Sequence, residues 1–172
     1  AAAIMVIGGC FVAMGTKSYF YRDGRRVSNG VVYNNDSNVL TVRDEEEAYD
    51  KIAEELGVKT LKLGYMPEGM RFQDVTIGIG YGKLRYEYKN ERITFIQAKS
   101  SLKTSMMYSS DTEEGYKIWN SGLHADIEVR TEDVDTNDKG YEAQFVYNGV
   151  YYYISAIMNQ EEFDKMITKI HI

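Results

Sequence analysis

Metal ligands and acid–base groups are the first chemistry to test in this sequence, which contains two histidines and one cysteine. His124 precedes Asp126 and Glu128, and alternate residues of a strand lie on one face. These three side chains could hold a metal ion, but no second histidine or cysteine is near them in the sequence. Cys10 lies in an apolar segment without a neighbouring base. We therefore expect no metal site, no catalytic residue, and surface or terminal positions for His124 and His171.

Two further segments resemble ligand-binding loops. Residues 78–82, Gly-Ile-Gly-Tyr-Gly, resemble a phosphate loop, but a phosphate cradle needs a following helix and the strand-like residues 83–88 follow instead. We expect a hairpin there. Residues 133–138 alternate oxygen ligands as a calcium loop does, but the sixth position is Asp138 and the twelfth is Gln144, where glycine and glutamate are needed. We expect a solvated loop without calcium, no cofactor in the chain, and a protein that is not an enzyme.

A hairpin is the clearest local signal in the chain. Asn148-Gly149, the favoured two-residue turn, separates residues 141–147 from residues 150–157. This turn pairs Tyr147 with Val150, and every further pair on the same face is apolar or aromatic, so this face is predicted to be core. The opposite face carries a mixed set of side chains: Glu142, Gln144, Val146, Tyr151, Tyr153 and Ser155.

The mixed face of this hairpin is the predicted binding surface. We expect Val146, Tyr151 and Tyr153 to contact a ligand or partner, and we add Trp119 as a further candidate. Tyrosine and tryptophan have an apolar body and a polar group, which suits them to interfaces. The alternative is that these residues pack under a helix or under the N-terminal linker, and both interpretations remain open at this point.

Capped helices and short strands would position this hairpin. Asp44 is a predicted N-cap with Glu47 as its partner, before an apolar stripe that Gly57 ends; the stripe consists of Ala48, Ile52, Ala53 and Leu56. Asn159 and Glu162 similarly begin a second helix, whose predicted apolar face consists of Phe163, Met166, Ile167 and Ile170. Strands are predicted at residues 75–79, 84–88, 92–98 and 126–131. The fold class is therefore α+β: an antiparallel β-sheet meander with a C-terminal amphipathic helix packed on it, an N-terminal helix and a segment like a membrane anchor.

The N-terminal segment and the overall charge restrict the class of protein. The chain has 172 residues and a formal charge of −6, which argues against a nucleic-acid partner. Its first fifteen residues are uncharged and mostly apolar, so we interpret residues 1–21 as a membrane anchor or a signal segment. A buried helix and a lipobox at Cys10 are the further alternatives. Residues 22–43 are predicted to be a linker with a short strand, at residues 31–33, and residues 44–172 an α+β domain.

Residues 65–70 carry a resemblance to a known family. Their sequence, Tyr-Met-Pro-Glu-Gly-Met, resembles the Tyr-x-Pro-Glu-Gly-hydrophobic motif that opens a bacterial domain-of-unknown-function family, family 4367. A similar opening occurs in the C-terminal domain of the periplasmic sigma-factor regulator RseB/MucB. The motif residues are Tyr65, Pro67, Glu68 and Gly69, while Met70 replaces the usual aromatic residue. Proline and glycine favour a tight turn, and a binding role for the motif remains an alternative. The resemblance covers residues 61–170.

The resemblance implies a location and a role. Members of that family often lie outside the membrane, on proteins that resemble anti-sigma factors and have a cytoplasmic N-terminal part and one spanning helix. We therefore expect an extracytoplasmic sensing or interaction domain of a membrane-anchored, anti-sigma-factor-like regulator, with an unknown protein or cell-envelope ligand as partner. It would act by binding and not by catalysis. The alternative is a secreted or lipid-anchored module that binds a small ligand or lipid.

Overall fold

The computed structural model describes residues 20–23, 26–29, 38–40, 42, 44–100, 115–134 and 139–172, with the backbone alone for residues 20–40. The helices of this part of the chain are α1 (Glu45–Leu56) and α2 (Gln160–Thr168). The strands before α1 are β1 (Phe20–Asp23), β2 (Arg26–Asn29) and β3 (Asn38–Leu40). Those after it are β4 (Lys62–Leu63), β5 (Arg71–Gly78), β6 (Tyr81–Tyr88), β7 (Glu91–Lys99), β8 (Gly115–Asn120), β9 (Ala125–Asp133), β10 (Lys139–Tyr147), β11 (Val150–Ile157) and β12 (Ile170–His171).

One antiparallel sheet of eight strands organises the molecule, in the order β3-β5-β6-β7-β11-β10-β9-β8. Two meanders, β5–β7 and β8–β11, are joined where β7 pairs with β11. Two small sheets accompany it, because β1 pairs with β2 and β12 pairs with β4. The predicted α+β class, with an antiparallel meander between an N-terminal and a C-terminal helix, is confirmed.

The hairpin of β10 and β11 has the predicted register. Tyr147 pairs with Val150, and the pairing continues without a shift to Gly140 and Ile157. Asn148 and Gly149 both have positive φ angles, 48° and 76°, as a two-residue turn of this kind requires.

Both helices lie on one face of the sheet, which we call the helix-covered face. α1 packs against β5, β6 and β7, while α2 packs against β8 and β10. Their apolar side chains join those of the strands in one core cluster. Its largest fully buried members include Tyr49, Tyr86, Phe95, Tyr152 and Phe163. The buried face of the β10–β11 hairpin is part of this core, as its register predicts.

Helix α1 begins and ends where its capping residues predict. The side chain of Asp44 accepts a hydrogen bond from the Glu46 amide at 2.9 Å, and Gly57 ends the helix with φ of 71°. Of the predicted apolar stripe, Ala48, Ile52 and Leu56 are buried and Ala53 is half-buried, and the prediction omitted Tyr49, which is buried as well. The Tyr49 hydroxyl lies 3.0 Å from that of Tyr86 and accepts a hydrogen bond from the Leu63 amide at 3.2 Å, and these hydrogen bonds allow a polar aromatic residue to join the core.

Helix α2 also begins at its predicted cap, where Asn159 accepts from the Glu162 amide at 2.9 Å. Phe163 is buried on the predicted face of the helix, together with Met166 and Ile167. Ile170 is buried as well, but it lies in β12 after the helix has ended. The prediction that the helix extends to Ile170 is therefore wrong, because the chain leaves the helix to pair with β4.

The family motif attaches the first half of the domain to α2. The Tyr65 hydroxyl donates to the Glu162 carboxylate at 2.5 Å. The Lys165 ammonium lies 4.0 Å from the centre of the Tyr65 ring, within the range of a cation–π contact. The hydrogen bond to Glu162, followed by desolvation, raises the pKa of Tyr65. Tyr65 therefore connects the loop before β5 to the C-terminal helix.

The rest of the motif forms a turn. The Met70 amide donates to the Pro67 carbonyl at 2.9 Å, and Gly69 has φ of 86°. Positive φ at the third position of such a turn defines type II, which favours glycine. Pro67 is buried and Glu68 is exposed. The turn itself is formed by backbone groups, namely the Met70–Pro67 hydrogen bond and the positive φ angle of Gly69.

Gly69→Ala is expected to lower the free energy of unfolding by roughly 1 kcal/mol, because alanine is strained at positive φ. A Cβ atom at Gly69 would meet no atom within 4 Å, so the cost is conformational and not steric. Urea unfolding measures it. Gly122→Ala is the matched control, since its Cβ would make ordinary contacts, the nearest at 3.4 Å from the Asn120 side chain. Equal losses in both variants would contradict this explanation.

Strands β1, β2 and β3 lie in the segments that were predicted to be an anchor or signal segment and a linker. Within the described residues, no helix is long and apolar enough to cross a membrane. The apolar residues 1–15 and the predicted strand at 31–33 lie outside those residues. Phe20 and Tyr21, the last aromatic residues of the predicted anchor or signal segment, lie in β1. The predicted linker contributes β2 and β3.

Candidate functional site

The face of the sheet opposite the helices, which we call the second face, carries all four predicted contact residues. Trp119 of β8 pairs with Asp126 of β9. Continuing the pairing of β9 with β10 by one repeat places Val146 beside Asp126, and Val146 pairs with Tyr151 of β11. These residues form one row across four strands, and Tyr153 lies one repeat further along β11.

The half of the second face on β8, β9 and β10 is open. Trp119 is 56% exposed and Val146 is 47% exposed. Lys117, Asp126 and Glu128 are exposed beside them, and we call these five residues the exposed strip. The strip combines two apolar side chains with three charges of both signs. The three charged members were not predicted as contacts, although their alternation along β8 and β9 was a signal for a shared face.

The other half of the second face is covered. Tyr81, Ile96, Ala98 and Tyr151 form a buried group on β6, β7 and β11, with Tyr153 packed against it. We call these five residues the tyrosine cluster. Tyr151 is 1% exposed, so it is not available to a partner in this conformation. Val146 and Trp119 are therefore exposed, as the interpretation of this face as a contact surface requires. Tyr151 is instead packed under another part of the chain, as the alternative interpretation expects.

The two tyrosines of β11 on the second face, Tyr151 and Tyr153, donate hydrogen bonds across the hairpin. The Tyr153 hydroxyl lies 2.6 Å from a Glu142 carboxylate oxygen, and the Tyr151 hydroxyl lies 3.3 Å from the Gln144 side-chain oxygen. Burial, followed by the charge of Glu142, raises the pKa of Tyr153 well above its ordinary value. The same two causes raise the pKa of Tyr151 to about 12. Both groups are therefore neutral donors at physiological pH.

Basic residues border the tyrosine cluster on the second face. Lys83 pairs with Ile96 in the register of β6 and β7. Arg85 lies one repeat further along β6 and forms an ion pair with Asp74. Burial, followed by the charges of Arg85 and Arg92, lowers the pKa of Lys83 to about 8. This half-buried cation was not predicted, because the burial of a strand residue depends on what packs over its face of the sheet.

The candidate metal, phosphate and calcium sites of the sequence are not assembled as ligand sites in the described residues, or they lie outside those residues. His124 adopts φ of 50° before β9, and its ring centre lies 6.5 Å from that of Trp119. Within the described ranges, no three histidine, cysteine, aspartate or glutamate side chains are grouped as metal ligands. Residues 78–82 form the predicted hairpin turn between β5 and β6. Cys10 and residues 135–138 of the predicted loop lie outside the described residues.

Two surface cavities have polar walls. One of about 240 Å³ lies beside the turn of β6 and β7, and its lining residues include Asp74, Arg85, Glu87, Glu91 and Arg92. Another, of about 460 Å³, is lined by Lys51, Glu54, Glu55 and Ile77. Both have charged walls, unlike the mostly apolar pockets that bind small ligands.

Comparison with known families identifies the family of this domain. A family model described as "Domain of unknown function (DUF4367)" matches residues 60–170, which include the motif, the sheet from β5 onward, and α2. No curated protein and no solved structure shows a significant match to the chain.

Proposed function

The chain belongs to the DUF4367 family, and on that premise we propose that it is the extracytoplasmic sensing or interaction domain of a membrane-anchored, anti-sigma-factor-like regulator. It acts by binding a protein or a cell-envelope ligand and not by catalysis. The apolar residues 1–15 attach it to the membrane. The observation that carries the binding role is the exposed strip.

The composition of the exposed strip supports a protein partner. Trp119 and Val146 are among the few large apolar side chains that the described residues expose. Tryptophan is enriched among residues that dominate binding energy, where charged and polar neighbours form a rim around an apolar centre. Lys117 and Glu128 lie beside this row at its border, and Asp126 lies within it, between Trp119 and Val146. Their mixed signs fit a protein surface better than a uniformly charged polyanion.

The filled core argues against the small-ligand alternative. Such a module needs a mostly apolar cavity within the fold. Between the helices and the sheet, Ile52, Phe95, Phe163 and Ile167 are each 0% exposed. Binding at a surface is therefore the preferred mode.

A transcript profile tests the regulatory role. In a strain that keeps residues 1–60, deletion of residues 61–172 is expected to change transcription of a stress or envelope regulon several-fold. The reason is that the sensing domain no longer acts on the rest of the regulator. An unaltered profile would remove the signalling proposal.

A double variant tests the exposed strip in the same strain background. Trp119→Ser with Val146→Ser is expected to reproduce part of the change while the fold, checked by circular dichroism, is kept. Ile79→Ser with Val58→Ser is the matched control, because these apolar residues are 82% and 40% exposed and lie outside the strip. If the deletion changes the transcript profile and the strip variant does not, the partner contacts the domain outside the exposed strip.

A further inference from the structure

The burial of the tyrosine cluster requires a cover other than the helices. Tyr81 is 7% exposed, Ile96 2%, Ala98 0% and Tyr151 1%. These residues lie on the second face, whereas α1 and α2 both pack on the opposite face. Side chains on a sheet face that has no second layer are normally in contact with water. Another part of the chain must therefore lie over the cluster.

The hairpin of β1 and β2 is in position to provide this cover, because β2 lies against β7. β7 is an interior strand with β6 and β11 paired to its two edges, so β2 can approach it only over a face. On the helix-covered face of β7, Phe95 is in the core and Gln97 is hydrogen-bonded to Leu61. The second face, with Ile96 and Ala98, is the face that remains.

The covered area includes the tyrosine cluster and, on the same face of β7 and β11, Thr94 and Ser155, which are 2% and 3% exposed. The tyrosine cluster spans three neighbouring strands, which is about 10 Å at ~4.8 Å per strand spacing. A hairpin of two four-residue strands covers a similar area. On the side of β10 and β8 the same face is open, because Val146 and Trp119 are 47% and 56% exposed, whereas on the other side Thr76 of β5 is still buried.

We propose that the tyrosine cluster is the docking site of this chain's own β1–β2 hairpin, so that the segment next to the apolar N-terminus is held on the second face beside the exposed strip. This docking does not depend on the proposed function. If that function also holds, a partner that extends from the exposed strip towards β11 has to displace the hairpin. Partner binding and hairpin release are then coupled, since both use one sheet face.

Tyrosine nitration in the full chain, held in detergent micelles, tests the docking. Ser28 pairs with Tyr21, and two residues connect β1 to β2, which places this pair on the hydrogen-bonded repeat. Ser28→Pro therefore removes a ladder donor from the hairpin without altering the eight-stranded sheet. Nitration of Tyr151 is expected to become several-fold faster. Tyr152, buried on the helix-covered face, is the internal control and stays protected. Unchanged protection of Tyr151 would overturn the proposal.

Amide exchange provides the reverse experiment and decides the case if Ser28→Pro opens the whole domain. Tyr151→Ser is expected to accelerate exchange of the β2 amides several-fold, while the amides of β9 keep their protection. Val146→Ser, on the same face but in the exposed strip, is expected to leave β2 unchanged. If the exchange rates of the β2 amides are the same in Tyr151→Ser as in the unaltered protein, the docking is excluded. Neither measurement involves a partner. A negative result would therefore contradict the docking of the hairpin without bearing on the proposed function.

Discussion

Phe163→Ala is expected to lower the free energy of unfolding by about 3–5 kcal/mol, the usual cost of removing a fully buried phenylalanine ring. Phe163 of α2 is 0% exposed, and its ring stacks on that of Tyr141 in β10 with 5.2 Å between centres. The substitution leaves a cavity where α2 meets the sheet. Urea unfolding followed by circular dichroism measures the loss.

Trp119→Ala is the matched control, because it also replaces an aromatic ring with alanine but at a site that is 56% exposed. We expect a change within about 0.5 kcal/mol, as for other surface substitutions. The pair of variants separates a ring that holds the fold together from a ring that faces water. A loss at Trp119 as large as that at Phe163 would show that the exposed strip is structural, and its variants would then not report on binding.

Local chemistry made much of this fold predictable from the sequence. Asn148-Gly149 specifies a two-residue turn, and that turn fixes the register of every pair in the hairpin, because a slip of one residue would expose its apolar face. Asp44, Gly57 and Asn159 each satisfy backbone groups at a helix end. In these cases the deciding interactions lie within a few residues of each other.

Long-range pairing was not predictable in the same way. β8 escaped detection as a strand, although it carries Trp119 at the edge of the sheet. The junction of β7 with β11 joins two meanders that are separate in the sequence. The hairpin register predicted on which face of the sheet Tyr151 lies. Its burial was not predictable, because burial depends on which part of the chain covers that face. The candidate site was therefore predicted as a face, and its division into covered and open halves required the structure.

Lys83→Met is expected to stabilise the domain by about 1–2 kcal/mol at pH 7 and to have little effect near pH 10.5. The pKa of Lys83 is lowered from 10.5 to about 8, first by burial and then by Arg85 and Arg92. At pH 7 the folded protein therefore holds a charge that costs free energy. A lowering of that size corresponds to about 3 kcal/mol at most, and water near the half-buried side chain reduces it.

The direction of the pH dependence follows from which state binds the proton more tightly. Above pH 10.5 Lys83 is neutral in both states and carries no cost. As the pH falls from 10.5 to 8, the unfolded chain takes up the proton first, so the folded state loses stability relative to it. Below pH 8 the cost is constant. Methionine has a similar length and no charge, so the stability of Lys83→Met lacks this loss.

Urea unfolding of Lys83→Met and the unaltered protein at several values between pH 7 and 10.5 measures the difference. The two stability curves are expected to converge as the pH rises. Lys117→Met is the matched control, because Lys117 lies on the same second face but is exposed, and a change within about 0.5 kcal/mol is expected at each pH. Parallel curves for Lys83→Met and the unaltered protein would show that Lys83 is solvated. Part of the second face around the tyrosine cluster would then be open to water. The covered area of that face would in that case end before Lys83.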